Sequence, residues 1–296
     1  MSYSARLLVP GDEASVDNFL KPHTPFAFFI RSNLKKSGFR YEGKAYQADV
    51  FGAFMDGNLA GILSHSWMNS VQLYAADPSA ISALVEAFRA FRLQNPRIFD
   101  RFLGPAEQIG VLLPALGLGA DSFLHGGETE GLYALSLDKM VLPALLNKPE
   151  IQVRHAEKQD EALLISWRHD FNVEENGAPP GQKTTDDARD EITRRIDERD
   201  LFVLEDRGEV VSFCGIGGFL SDWMNVGPVW TPPDKRSLGY ARSVTAGALS
   251  ILREEGLANA VLFARLPAAI KAYQAIGFER RGDWMFDFLK KPVDRL

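Results

Sequence analysis

Two stretches of this chain, about 150 residues apart, carry the same local message. Residues 50–62, VFGAFMDGNLAGI, and residues 201–213, LFVLEDRGEVVSF, are each an apolar run, a turn with aspartate and glycine, and a second apolar run. That is the signature of a β-hairpin. Residues 71–91, VQLYAADPSAISALVEAFRAF, then read as a strand leading into a long helix, and the second half runs through the same events from Asn225 to Glu255. A repeat this long implies duplication of a whole domain and not of a short solenoid unit. The expectation is two related α/β domains.

The second half is the clearer copy. Residues 160–172 put Leu163, Leu164, Trp167 and Phe171 on one helical face, and residues 184–199 form a second, strongly charged helix. The loop NGAPPGQ separates them. Strands are expected over 201–205, 210–215 and 225–231. A helix over 237–255 follows, with Tyr240, Val244, Ala248 and Ile251 or Leu252 as its buried stripe and Gly256 as its stop. A strand over 258–264, a short helix opened by Pro267 and ended by Gly277, and a strand over 278–289 complete the half. This order is an α/β (α+β) layout with a mixed sheet. The stretch SLDKMVLPALLNKPEI separates the halves, so the expected domains are residues 1–140 and 151–296, with a linker at 141–150.

Composition narrows the function classes. Apolar residues at 46% and charged residues at 24% are ordinary for a globular protein with a sizeable core. A net charge of -6 and a pI near 5.5 argue against a nucleic-acid partner, whose phosphates call for clustered Lys and Arg. Cys214 is the single cysteine, so no intramolecular disulfide or cysteine cluster can form, and a reducing cytoplasm is the expected location. The five histidines are scattered and form no HExxH, so no metal is expected. MSYSARLLVPGDEA lacks the apolar core of a signal peptide, and the apolar run at 25–30 is far too short to span a bilayer. No membrane association is expected.

The stretch that carries chemistry is TPPDKRSLGYA, residues 231–241. Pro232 and Pro233 fix φ and donate no hydrogen bond, Lys235 and Arg236 bring positive charge, and Gly239 lets the backbone come close to a neighbour. A glycine-containing turn running into a helix presents free N–H groups and the positive end of the helix dipole to an anion, phosphate above all. Read alone, the same residues also suit a proline-rich strand-to-helix connection that binds nothing.

The order of residues adds to this. VGPVWTPPDKRSLGYA, residues 226–241, resembles the acetyl-CoA-binding segment of the GNAT superfamily of N-acetyltransferases. The pattern of that family, Gln or Arg, two residues, Gly, one residue, Gly or Ala, falls on Arg236, Gly239 and Ala241. AYQAIGF, residues 272–278, is similar to its closing Tyr-x-x-x-Gly-Phe motif. With the element order, the resemblance covers about residues 151–289, and VxTPPxxRxxGYA with YQxIGF is most similar to the glycine N-acyltransferase-like branch. The resemblance implies two GNAT-like domains, each a mixed, mostly antiparallel sheet flanked by helices, and acetyl-CoA as acyl donor. It implies that N–H groups of Arg236, Ser237, Leu238, Gly239, Tyr240 and Ala241 hold the CoA pyrophosphate. Val229, Trp230 and Thr231 would pair through their backbone with the pantetheine arm.

The same resemblance makes Tyr273 the catalytic residue. A departing thiolate needs a proton, and a phenol of ordinary pKa about 10 can give it; a tyrosine that merely packs the short helix is the other reading. A backbone N–H at the end of the 229–231 strand would polarise the thioester carbonyl. For the base that neutralises the incoming amine, the candidates are Glu174, Glu175 and Asp222, each also readable as solvated surface. An asparagine the family often carries about seven residues before the tyrosine is here Leu266, which puts one polar contact in doubt.

Two lookalikes are set aside. Gly215-Ile-Gly-Gly218 has no helix after it and reads as a strand with a bulge or a close backbone approach, not as a dinucleotide fingerprint. Cys214, in an apolar strand, reads as a small hydrophobe. In the first half YAADPS, residues 74–79, lacks the arginine and glycine pattern, and Asp77 puts a carboxylate where phosphate would sit. That half is expected to be degenerate and to bind no CoA. The expected function is transfer of an acetyl group to a primary amine of a small molecule or peptide by direct attack in a ternary complex. A non-catalytic CoA-ester-binding or regulatory module is the alternative. The expected assembly is a monomer whose halves pack as a pseudo-dimer.

Overall fold

The computed structural model describes residues 2–293. It divides into two compact units. Unit 1 holds the described residues through Tyr133, Phe263–Arg265, and those from Arg280 onward; unit 2 holds Ala134–Leu262 and Leu266–Glu279.

In unit 1 the order is β1 (Ser4–Leu7), α1 (Glu13–Leu20), α2 (Thr24–Ser37), β2 (Ala48–Met55), β3 (Asn58–Ser66), β4 (Ser70–Ala75), α3 (Ile81–Gln94), β5 (Phe99–Pro105) and α4 (Ala106–Ala115). A further strand, β6 (Thr129–Ser136), runs across the division between the units. The sheet order is β1-β2-β3-β4-β5, antiparallel except for β4 with β5. Strand alternation feeds both faces. Val50 and Ile62 pack with Val16, Leu20, Ala27 and Ile30 of α1 and α2, while their neighbours Phe51 and Leu63 pack with Leu84, Val85 and Phe88 of α3. All four strand residues are fully buried, each stabilising the fold by about 1.5–3 kcal/mol.

Unit 2 repeats this order with β7 (Ile151–His155), α5 (Glu161–Glu174), α6 (Gln182–Asp197), β8 (Leu201–Asp206), β9 (Glu209–Phe219), β10 (Trp223–Trp230), α7 (Tyr240–Glu254), β11 (Asn259–Ala264) and α8 (Pro267–Gln274). Its sheet order is β11-β10-β9-β8-β7, again antiparallel except for the pair β10–β11. The duplication expected from the two hairpins therefore extends to every strand and its sense. Both hairpins turn in the same way: Asp56 and Gly57 have φ of 50° and 78°, Arg207 and Gly208 have 53° and 80°. Two successive positive φ values match the twist of the flanking strands.

Two expectations are corrected. The closing strand, β12 (Glu279–Val293), was expected in the second domain; from Arg280 onward it lies in unit 1, paired antiparallel with β5 from Trp284↔Pro105 to Phe288↔Arg101. Met285 and Leu289 explain why, because they fill the core around Phe102 and Phe123. On α5, Leu164, Ile165 and Trp167 are buried but Leu163 is 40% exposed, so the inward face is turned by one residue from the expected one.

Helix α7 is buried along Val244, Ala246, Gly247, Ala248 and Leu249, and a Cβ built on Gly247 would lie 2.5 Å from Val153 Cγ2. Gly247→Ala is therefore expected to destabilise the fold by about 1–3 kcal/mol despite the better helix propensity of alanine. Gly110 of α4 faces open space, and Gly110→Ala is expected to stabilise by up to about 1 kcal/mol. Urea unfolding of both variants checks the contrast in sign.

Candidate functional site

In unit 2 the parallel ladder of β10 with β11 has three rungs, Trp223↔Asn259, Met224↔Ala260 and Asn225↔Val261, and ends there. β10 runs on to Trp230, still paired on its other side with β9 through Val226↔Ile216, Val229↔Cys214 and Trp230↔Phe213. One edge of β10 from Val226 to Trp230 therefore has its backbone groups free of a strand partner. Buried Asn225 marks the point of divergence, its amide reaching Val261 O at 3.4 Å. The ladder with β9 shifts register on either side of Val226, which is the bulge expected near Gly215-Ile-Gly-Gly218.

The open edge leads straight into the proline turn. Thr231 is buried, and Ser212 Oγ holds the corner by donating to Trp230 O at 2.8 Å, with Thr231 Oγ1 2.9 Å away. Pro233–Lys235 form one 3-10 turn, Ser237 takes φ 66° and Gly239 φ 86°, and α7 begins at Tyr240. Left-handed backbone at Gly239 costs glycine little and any residue with a Cβ much more. The result is that the N–H groups of Ser237, Leu238, Gly239, Tyr240 and Ala241 donate to no acceptor among the described residues. Such a row at a helix N-terminus is a site for an anion.

The cations of the turn are spoken for. Lys235 Nζ donates to Glu209 at 2.6 Å, and Arg236 donates through both terminal nitrogens to Glu174, at 2.6 and 3.0 Å. Arg236 Nε also donates to Thr231 O at 3.0 Å, and the guanidinium lies over the Trp230 ring, 4.7 Å from its centroid. Tyr240 Oη donates to Asp206 at 2.5 Å. Two buried polar atoms flanking the turn, Trp230 Nε1 and Ser243 Oγ, have no partner among the described residues. Open strand edge, unpaired N–H groups and these two atoms fit a ligand with an amide-bearing arm and a phosphate end.

Tyr273 stands in the last turn of α8, its ring edge-on to Phe278 at 6.0 Å. Burial pushes its phenol well above the ordinary value, and the carboxylate of Glu175 pushes the same way. Cys214 is itself fully buried, its thiol pushed up to about 12 by desolvation, and stays a neutral thiol at physiological pH.

The other sequence candidates fall in different places. Glu174 is the last residue of α5 and is bound to Arg236; Glu175 follows as the cap of that helix. Asp222 lies in the turn before β10, where its backbone oxygen accepts from Asn259 N at 2.9 Å. With strands rising about 3.3 Å per residue, the eight residues of β10 carry it roughly 25 Å from the proline turn, and it is not part of the site. Sequence reasoning missed Ser212, Ser243 and the Arg236–Glu174 pair, none of which has a local signal.

The matching place in unit 1 is closed. β4 and β5 also diverge, after Gln72↔Leu103, but the edge of β4 is taken by Gln108 of α4, whose amide accepts from Ala75 N and donates to Ala75 O, both at 2.8 Å. Asp77 accepts from Ser79 N at 2.9 Å and from Tyr3 Oη, so a carboxylate of the chain occupies the turn before α3.

Among known proteins, the model of the Acetyltransferase (GNAT) family matches residues 163–278. No curated protein matches the chain. Solved structures similar to it include a GNAT-family acetyltransferase from Colwellia psychrerythraea, at 17% identity with 97% of this chain and 100% of that one covered and a TM-score of 0.52. A GCN5-related N-acetyltransferase from Sphaerobacter thermophilus is 13% identical, with 99% and 96% covered and a TM-score of 0.54. A tandem GNAT protein from the clavulanic acid biosynthesis pathway is 12% identical, with 99% and 100% covered and a TM-score of 0.53. The likeness establishes the fold, a mixed, mostly antiparallel sheet flanked by helices as in GNAT acetyltransferases. Among the described residues no helix is long and apolar enough to cross a membrane, and no group of three or more His, Cys, Asp or Glu is placed to hold a metal ion.

Proposed function

We propose, taking the GNAT fold and the family match over residues 163–278 as premise, that the chain is an acyltransferase that moves an acetyl group from acetyl-CoA to a primary amine. The observation that carries this reading is the row of unpaired N–H groups from Ser237 to Ala241 at the end of an open strand edge. Acetyl-CoA, when bound, supplies an activated thioester. The N–H groups at 237–241 hold its pyrophosphate, and the free backbone edge of Val229 and Trp230 pairs with the amides of its arm. A backbone N–H of that edge polarises the thioester carbonyl. Tyr273, kept protonated by burial, gives its proton to the departing sulfur. Glu175, the cap of α5, draws the ammonium form of the acceptor toward the site and takes up the proton it sheds. The acceptor is a primary amine of a small molecule or a peptide.

The test is thiol release from acetyl-CoA by the full chain against a panel of primary amines. Turnover with at least one amine is the expected outcome. Tight binding of acetyl-CoA without turnover on any amine would move the protein to a CoA-ester-binding module. A titration by calorimetry gives a second expected result: one donor per chain, because Gln108 and Asp77 occupy in unit 1 the groups that a donor would need. A stoichiometry of two would overturn that.

A further inference from the structure

We propose that Glu174 is an internal stand-in for a phosphate of the donor, and that the Arg236 fork it fills is a preformed phosphate subsite. The inference rests on the donor reading above. Two contacts orient the guanidinium without Glu174: Nε donates to Thr231 O at 3.0 Å, and the plane lies over Trp230 at 4.7 Å. When the carboxylate leaves, the fork stays aimed outward with both terminal nitrogens free. Carboxylate and phosphate oxygens make the same two-point contact with a guanidinium, so one replaces the other without rebuilding the site.

Glu174 is also easy to displace. The two side chains are 40% and 41% exposed, and an exposed pair of this kind is worth about 0–1 kcal/mol. Glu174 ends α5, where a carboxylate meets the negative end of the helix dipole, so among the described residues Arg236 is what holds it there. Lys235 differs, since its ammonium reaches away to Glu209. Donor binding therefore frees the end of α5 and the NGAPPGQ loop that follows it, coupling the donor turn to that loop.

The phosphate at the fork belongs either to the pyrophosphate or to the 3′-phosphate of CoA, and three probes separate these. Calorimetric titrations of the full chain with CoA, dephospho-CoA and pantetheine are made at low salt on the wild type, Glu174→Gln and the double variant Glu174→Gln with Arg236→Gln. Glu174→Gln is expected to lower the Kd for CoA by up to about fivefold, with the gain shrinking as salt rises, to leave pantetheine unchanged, and to lose its gain in the double variant. A gain shared by dephospho-CoA puts the pyrophosphate at the fork; a gain confined to CoA puts the 3′-phosphate there. An unchanged or weaker CoA affinity in Glu174→Gln, or an equal gain for pantetheine, overturns the inference while leaving the donor reading intact. No CoA binding by either the wild type or Glu174→Gln removes the donor reading, and this inference with it.

Discussion

Replacing Tyr273 by phenylalanine is expected to lower kcat for acyl transfer by about 10²–10⁴ while leaving donor affinity nearly unchanged, the loss expected of one general acid. Only the hydroxyl is deleted. The ring keeps its edge-on contact with Phe278, and a partly buried phenol with no hydrogen-bond partner among the described residues is the kind of group whose removal leaves the fold in place. The sign of the pH effect follows from the same surroundings. Burial raises the phenol, so the proton is held more tightly than in a free tyrosine and is still present well above neutral pH. No loss of rate on the alkaline side below about pH 10, the ordinary phenol value, is therefore assigned to Tyr273. Steady-state kinetics on wild type and Tyr273→Phe decide the matter: equal kcat values would return Tyr273 to the packing of α8, and a parallel loss of donor affinity would make it a binding group.

The second large effect is expected at Gly239. Valine there must take φ 86°, a conformation that costs a β-branched residue about 1–3 kcal/mol, and its Cβ would come within 3.2 Å of the Arg242 guanidinium. The backbone can relieve this only by turning the N–H groups at 238–241 away from a common focus. Donor binding should fall more than a hundredfold, a loss of about 2.7 kcal/mol or more. In the wild type, ligand at about a hundred times its Kd should add about 2.7 kcal/mol to stability and raise Tm by several degrees; the variant should show no shift. Gly239→Ala, with a smaller strain, keeps the comparison informative if the valine variant melts early without ligand. A full ligand-induced shift in Gly239→Val would place the donor elsewhere.

Much of unit 2 was legible because its signals are local. Alternation and paired turn residues marked the β8–β9 hairpin, Gly256 marked the end of α7, and the pair of prolines with Gly239 marked the turn. What escaped depends on partners distant in sequence. Arg236 and Glu174 are 62 residues apart, and no periodicity links them. Asp222 was drawn toward the site because it precedes the right strand in sequence, whereas strand length carries it to the far end. The alternation in β12 marked a strand correctly, but the choice between two similar sheets was settled by where Met285 and Leu289 find a core. Leu163 shows the same limit on a helix, since Leu164 and Ile165 compete with it for one buried face.

The allocation of β12 has a consequence for how the chain is made and cut. Unit 2 is an insertion within unit 1, entered at Ala134 and left at Glu279. During synthesis the first 133 residues therefore emerge without the strand that covers β5, and that edge stays unpaired until residues 280–293 have been made. An exposed edge over that interval invites association with other chains, so expression at low temperature or with chaperones should favour soluble full-length protein. For the same reason a fragment ending near residue 140 is not a free-standing copy of the first repeat, because it lacks the strand that pairs with β5.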